Sequence, residues 1–257
     1  MTDDPPKKYF HISTLAKGLR VIEILSDEKE ISVSKLSQIT GLNRTSSHRF
    51  LSTLTELGYV ARLENANYRL TLKILAIGMK LANKLEVSRI ARPHMRRIQS
   101  MFSETVNLGL WDGESIIHLD KIDSQEILRL DCDIGTLAPA YCTSLGKAVL
   151  AHLPPEELDT YLQTVELKRY TPNTITSRKK LLRELKEVKE NGFALDREEL
   201  VVGLQCVGVP IFDYTGRANH SISIAGISMR MAPKLEEIIA VAKNVSESLS
   251  IELCGNP

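Results

Sequence analysis

Apolar residues recur along this chain at two different periods, and the change of period divides it into parts. Leu15, Leu19, Ile22 and Leu25 fall at helical spacing and predict an amphipathic first helix, with Ser13 or Thr14 placed to cap it. Val33, Leu36 and Ile39 predict a second short helix over 34–40 with those three residues inward. Gly41 must stop it, because glycine readily takes the positive φ of a tight turn. Asn43 is a good N-cap for a third helix over 44–57. Ser47, Phe50, Leu51 and Leu54 share one face of that helix; Arg44, Thr45, His48, Arg49, Ser52 and Thr55 share the other. After Gly58 the period drops to two, and 59–63 and 68–71 read as strands joined by Glu64-Asn65-Ala66-Asn67. Leu72, Leu75 and Met79 then restore helical spacing, predicting a linking helix over 72–85.

The second part mixes the two periods. A helix with Ile90, Met95, Ile98, Met101 and Phe102 as its apolar set, and Pro93 near its start, precedes strand-like stretches at 105–111, 115–122 and 127–132. Asp112-Gly113 is a hairpin signal between the first two. Helices over 144–152, after Pro154-Pro155, over 177–191 and over 233–249 alternate with strands at 193–196, 207–212 and 222–225. The order predicts an α+β protein: an N-terminal winged helix-turn-helix followed by a domain with a mainly antiparallel sheet flanked by helices. The expected division is a disordered tail over 1–13, a winged helix-turn-helix domain over 14–71, a linker helix over 72–86 and a larger sheet-containing domain over 87–257.

Composition narrows the function classes. With 43% apolar residues in 257, the chain can bury a core in each of two domains, which excludes disorder as its ground state. The net charge of +1 excludes a protein that merely coats nucleic acid. Its distribution is uneven: residues 1–80 hold 12 Lys+Arg and 8 Asp+Glu, so the N-terminal third carries the basic bias. Four cysteines without a CxxC pair, no signal-peptide pattern and no apolar run of bilayer length lead to the expectation of a cytoplasmic protein with no membrane partner.

A helix, a glycine turn and a second helix with cations and hydroxyls on its outer face form a shape that fits the major groove of duplex DNA. Arg44, Thr45 and His48 lie in the first turns of that helix, where base edges are reached, and Arg can bond guanine through two N–H groups. Ser46 and Arg49 are candidates for bases or backbone; Arg62 and Arg69 on the hairpin, and Lys35 on the preceding helix, for phosphates. The plainer alternative is that these are solvated helix residues. The conjunction of turn, cap, hairpin and local charge favours DNA.

At this point the chain resembles the IclR family of bacterial regulators from Leu15 to Leu249. The stretch VSKLSQITGLNRTSSHRFLSTLTELGYV (33–60) is similar to its helix-turn-helix and the entry to its wing. Gly192, Asp196, Glu199, Cys206, Val207, Gly208, Ile211, Phe212 and Asp213 fall at the spacing of its C-terminal signature, and Ser144-Leu145-Gly146-Lys147 corresponds to its small-residue turn before a helix. HLDKIDS (118–124) and TITS (174–177) are especially similar to members of the KdgR type, which govern pectin and sugar-acid catabolism. Leu145 stands where smaller residues are common, and Ala225 where some members carry a pocket serine. The resemblance implies a GAF-like effector domain, a small organic-acid or sugar-acid effector such as 2-keto-3-deoxygluconate, a homodimer or homotetramer, double-stranded operator DNA as partner, and repression. It implies no catalysis, no metal and no other cofactor.

An organic acid needs fixed hydrogen-bond donors in a dry cavity, and the first turn of a helix supplies them cheaply. Ser144, Leu145 and Gly146 are the candidate donors. By resemblance they lie beside Asp196, Cys206 and Ser223, with Ile127 and Leu130 as apolar walls. Asp196 is suited to accept from effector hydroxyls, Ser223 to donate or accept, and Cys206 to add a small, weakly polar surface. The ordinary accounts are a turn-capping Asp196, a strand serine and buried cysteines. Two rival chemistries compete for the same residues. One is a metal site built from Asp196, Cys206, Cys142 and His220, for which no compact ligand spacing exists. The other is an enzyme with a cysteine-containing C-terminal site, nucleophile Cys142 or Cys206, regulated by its N-terminal domain; neither cysteine sits in a nucleophile motif.

Overall fold

The computed structural model describes residues 12–82, 86–127 and 132–254. The chain forms two compact units, divided between Lys84 and Leu85. Residues 1–11 of the expected tail, Leu130, and 128–131 of the strand expected over 127–132 lie outside the described residues, while Ser13, expected in the tail, already belongs to the first helix.

The first unit runs α1 (Ser13–Ser26), α2 (Val33–Thr40), α3 (Arg44–Glu56), β1 (Val60–Arg62), β2 (Tyr68–Leu70) and α4 (Leu72–Ala82). Its core is apolar: Val21, Ile24 and Leu25 of α1 meet Ile31, Leu36, Leu51, Leu54, Val60 and Tyr68. The expected inward stripe of α1 is therefore half wrong. Leu15 and Leu19 are exposed, because the buried side of the helix runs through Val21, Ile24 and Leu25. Ile39 is likewise exposed, since Leu36 is the only fully buried residue of the eight in α2. Nor do Ser13 and Thr14 cap α1; Ile12 is its N-cap and offers no side-chain acceptor. The turn before α3 forms as its residues dictate: Gly41 closes α2 at φ +69°, and Asn43 Oδ1 accepts from the Ser46 N–H at 2.8 Å. β1 and β2 pair antiparallel with Ala61 opposite Arg69 and Arg62 opposite Tyr68.

The second unit is one six-stranded antiparallel sheet in the order β5-β4-β3-β8-β7-β6, with helices on both faces. The strands are β3 (Thr105–Trp111), β4 (Ser115–Ile122), β5 (Leu137–Pro139), β6 (Ala194–Arg197), β7 (Leu204–Ile211) and β8 (His220–Ile227). The helices are α5 (Glu86–Phe102), α6 (Ser144–Leu150), α7 (Pro155–Thr164), α8 (Arg178–Asn191), α9 (Ser228–Met231) and α10 (Leu235–Cys254). The β3–β4 hairpin turns where expected, with Asp112 Oδ1 accepting from the N–H groups of Glu114 and Ser115 and Gly113 at φ +104°. Ile127, expected in a strand, is in none, and β5 is unanticipated because three residues ending in proline carry no alternation.

Pro93 falls inside α5, not near its start. An interior proline costs a helix about 3 kcal/mol. The cost is offset by an apolar stripe (Val87, Ile90, Ala91, Met95, Ile98) that runs across it and is buried.

Period-two alternation sorts the sheet into unlike faces. Val106, Leu108, Val207, Val209, Ile211, Ile222 and Ile224 point to α5 and α10 and form an apolar core. The opposite face carries Thr105, Asn107, Gly109, Asp196, Cys206, Gly208, Ser221 and Ser223, covered by α6. A register shift between Leu108 and Gly109 reverses the alternation of β4, so Asp120 joins the α5 face, where Arg92 bonds both its oxygens at 2.8 Å, while His118 joins the α6 face opposite Gly109. Among the described residues no helix is long and apolar enough to cross a membrane.

Candidate functional site

In the first unit the candidate residues are surface residues on a fixed frame. Burial of Ser47, Leu51 and Leu54 turns the opposite side of α3 outward, leaving Arg44, Thr45, His48 and Arg49 exposed and Ser46 half-buried. Neither arginine is in an ion pair among the described residues, and His48 Nδ1 lies 3.4 Å from Ser52 Oγ. The helix thus presents free guanidinium groups in its first two turns, the chemistry that bonds base edges and phosphates. Arg62 and Arg69 are both exposed, but the register sets them on opposite faces of the ribbon. Lys35 is engaged elsewhere, 2.5 Å from Glu28.

In the second unit the candidates converge on the α6 face of the sheet. Asp196 pairs directly with Cys206, Gly208 with Ser223, and Ser223 with Asn107. A Cβ on Gly208 would collide with the Ser144 carbonyl, and one on Gly146 with the Ala140 backbone, so Gly208 lets the start of α6 rest on β7 and Gly146 lets the turn before α6 pack against its first turn. Ser144 and Leu145 are buried at that contact. Of the three expected donors, Gly146 is already used: its N–H goes to Thr143 Oγ1 at 3.2 Å. The N–H groups of Ser144 and Leu145 have no partner among the described residues. Ile127 is fully exposed and walls nothing, because the chain leaves β4 at Ile122 and carries it to the surface.

Asp196 does cap a turn, its Oδ1 accepting from the Glu199 N–H at 2.7 Å. Burial nonetheless pushes its carboxyl up to about 7, with Glu199 adding to the rise, while its backbone partner and Lys147 oppose it. A carboxyl half protonated near neutrality can donate to an anion or accept from a hydroxyl.

Sequence reasoning missed four participants. Asn107, buried beside Ser223, was legible in the alternation of TVNLGLW, where Thr105, Asn107 and Gly109 interleave with Val106, Leu108 and Leu110. Cys132 Sγ lies 3.4 Å from Asn107 Oδ1 and 3.7 Å from His118 Nδ1, a contact no spacing reveals. Burial, and then Lys121, hold His118 below the usual imidazole range. Lys147 is wholly buried, with Nζ 2.5 Å from Glu199 and 3.0 Å from Glu184, which also binds Arg197. Nothing in the apolar run after Lys147 announces partners 37 and 52 residues away.

The rival chemistries lack their geometry. Burial pushes the Cys142 thiol up to about 12 and raises Cys206 well above the ordinary thiol range, so neither holds an appreciable thiolate at neutral pH. Among the described residues no three His, Cys, Asp or Glu side chains are placed to hold a metal ion.

Comparison with known proteins gives a concordant result. Residues 14–64 match the IclR helix-turn-helix domain, and residues 79–251 match the bacterial transcriptional regulator IclR C-terminal domain. The chain is 35% identical to the HTH-type transcriptional regulator KdgR of Escherichia coli over 252 residues, 97% of this chain and 96% of that one. It is also 35% identical to KdgR of Dickeya chrysanthemi, over 96% of this chain and 83% of the relative. The crystal structure of the Thermotoga maritima IclR superposes with a TM-score of 0.77 at 32% identity, covering 95% of this chain and all of that one. With an exposed cationic recognition helix in one unit and a buried polar sheet face in the other, the chain belongs to the IclR family of DNA-binding transcriptional regulators.

Proposed function

We propose that this regulator is a repressor that holds a dyad-symmetric operator and is released by a small hydroxylated organic acid of the 2-keto-3-deoxygluconate kind. The observation that carries the effector reading is the polar sheet face under α6. Asp196, Cys206, Ser223 and Asn107 are nearly solvent-free there, and Ser221 Oγ on the same face is buried with no hydrogen-bond partner among the described residues, a cost that a bound polar molecule would relieve. The Ser144 and Leu145 N–H groups suit a carboxylate; Ser223 and Asp196 suit the hydroxyls. The likeness to KdgR directs the choice of acid.

On the DNA side, Arg44, Thr45 and His48 read base edges, with Ser46 and Arg49 at bases or backbone. Arg62 and Arg69 hold phosphates, and Lys35 contributes less because Glu28 competes for it. Two copies pair through an apolar surface that a single copy leaves open: Leu15 and Leu19 of α1, and Leu72, Leu75 and Met79 of α4, each more than half exposed. Effector domains pair further into a tetramer. The acid acts by binding one arrangement of the reading heads better than the other.

The test is a thermal-shift screen of 2-keto-3-deoxygluconate, other sugar acids and short keto acids, followed by titration into an operator complex. A ligand at 100 times its Kd stabilises the native state by about 2.7 kcal/mol. Stabilisation that Asp196→Ala abolishes, with DNA affinity intact, supports the reading. An undiminished titration by that variant removes Asp196 from the site.

A further inference from the structure

The surface of the second unit is not evenly charged. Residues 85–257 carry 20 Lys+Arg against 24 Asp+Glu, yet the stretch 163–183 holds six cations (Lys168, Arg169, Arg178, Lys179, Lys180 and Arg183) and one acid, Glu166. All six cations are exposed, and none is in an ion pair among the described residues. Four of them lie in the first two turns of α8, and the fold brings Arg169 to the same place. Arg178 reaches back to the Gln163 carbonyl at 3.5 Å, closing the loop between α7 and α8, and Arg169 bonds Thr176 at 3.1 Å and the Pro172 carbonyl at 3.2 Å, which fixes it beside the start of α8. Lys179 and Lys180 lie four and three residues before Arg183, so each is its neighbour on the helix surface.

The two halves of α8 make the point sharper. Its C-terminal half interleaves signs in the manner of a solvated helix, with Lys186 and Glu190 paired at 3.8 Å and Glu187 and Lys189 between them. Its first turn has three cations and no acid, where the helix dipole disfavours positive charge. Glu184, one turn on from Lys180, is held by Lys147 and Arg197. Solvation alone does not select unpaired like charges at the end of a helix that repels them. A polyanion does.

The geometry points to a second nucleic-acid contact: the cationic surface formed by the start of α8 and the preceding loop binds the phosphate backbone of duplex DNA. Lys and Arg without base-reading partners suit phosphates, which they neutralise without regard to sequence. Duplex DNA is the polyanion kept at high local concentration by the helix-turn-helix unit of the same chain. This inference rests on DNA binding by the family and is independent of the effector reading.

The experiment is the salt dependence of binding by the full chain to a duplex of about 40 base pairs of arbitrary sequence. Each phosphate contact contributes about 0.9 to the slope of log K against log salt, so K179Q/K180Q/R183Q should flatten the slope by roughly 2 to 3. The control K186Q/K189Q, in the interleaved half of the same helix, should leave it unchanged. Equal thermal midpoints for all three proteins show that the fold is intact. A slope for the triple variant equal to that of the unsubstituted protein overturns the inference, whether or not that variant loses binding to poly-L-glutamate, the outcome expected of a docking site for an acidic protein. Equal flattening by the control also overturns it, because the effect is then one of net charge.

Discussion

The two units of this protein bury opposite things. The helix-turn-helix unit hides an apolar core, with Ser47 the one buried polar residue among those described, and keeps its chemistry on the outside of α3. The sheet unit hides chemistry as well as a core: one sheet face is apolar against α5 and α10, and the other closes over Asn107, Asp196, Ser223 and the Lys147–Glu199 pair. The difference fits the ligands proposed for each unit. A duplex groove is met from outside by side chains that stay hydrated until contact, whereas a small molecule is held by groups kept away from competing water. On that reading the first unit can change its exposed α3 residues at little cost to stability, while in the second the proposed effector groups are also groups of the folded interior.

The strongest way to break this contrast is at Lys147. Lys147→Met leaves Glu199 and Glu184 without their buried cation, and loss of one partner of such a pair costs about 3–5 kcal/mol. Urea unfolding should show that loss in the sheet unit, with K147M/E199Q less destabilised than the sum of the single changes; full additivity would mean that the pair is not coupled. Next in size, Gly208→Ala forces a methyl against the Ser144 carbonyl. A cost of about 1–3 kcal/mol is expected, accompanied by loss of effector-induced stabilisation. Unchanged effector response would show that α6 need not sit on β7.

A pH experiment sharpens the comparison. Asp196 has a carboxyl raised from 3.8 to about 7 in the folded unit, so between those values the native state holds more protons than the unfolded one. Stability accordingly falls as pH rises through this window, by at most about 1.4 kcal/mol per pH unit from this group. The term is fully present below 3.8 and gone above about 7. Affinity for an anionic effector should fall over the same upper range, since the protonated carboxyl tolerates a neighbouring anion. Asp196→Asn should flatten both profiles, and a slope that survives the substitution assigns the proton to another group. The smallest effect belongs to the first unit. Asn43→Ala removes the cap of α3 and costs about 1 kcal/mol, read as a lower midpoint of the helix-turn-helix unit with the sheet unit untouched.

The helix-turn-helix was largely legible because its determinants are local. Gly41, Asn43 and the spacing of Ser47, Leu51 and Leu54 act within a few residues of one another, and α3 begins at Arg44 as they require. The errors in that unit came where a stripe had two possible sides. Leu15 and Ile39 are apolar, but only packing decides which apolar residues of a helix are covered, and these two were left outside. In the sheet unit, β3 and β4 followed from alternation and Asp112-Gly113, whereas β5 gave no periodic signal. Asp196, Cys206 and Ser223 were found through family spacing. Asn107 was present in the alternation of β3 but unread, and Ile127 was misplaced because a short apolar stretch does not reveal where the chain departs from its sheet.

Sequence alone determined most of the helices and strands, the turn that launches α3, the position of the basic bias and the family to which the chain belongs. These depend on backbone preferences and side-chain periods that act over one or two turns. Only the tertiary structure decided that Lys147 meets Glu199, that a shift in β4 sends Asp120 and His118 to opposite faces, and that the loop before α8 folds back to set Arg169 beside the cations of that helix. Those outcomes depend on strand register and on contacts between residues tens of positions apart, where shape and charge are settled jointly by the whole fold.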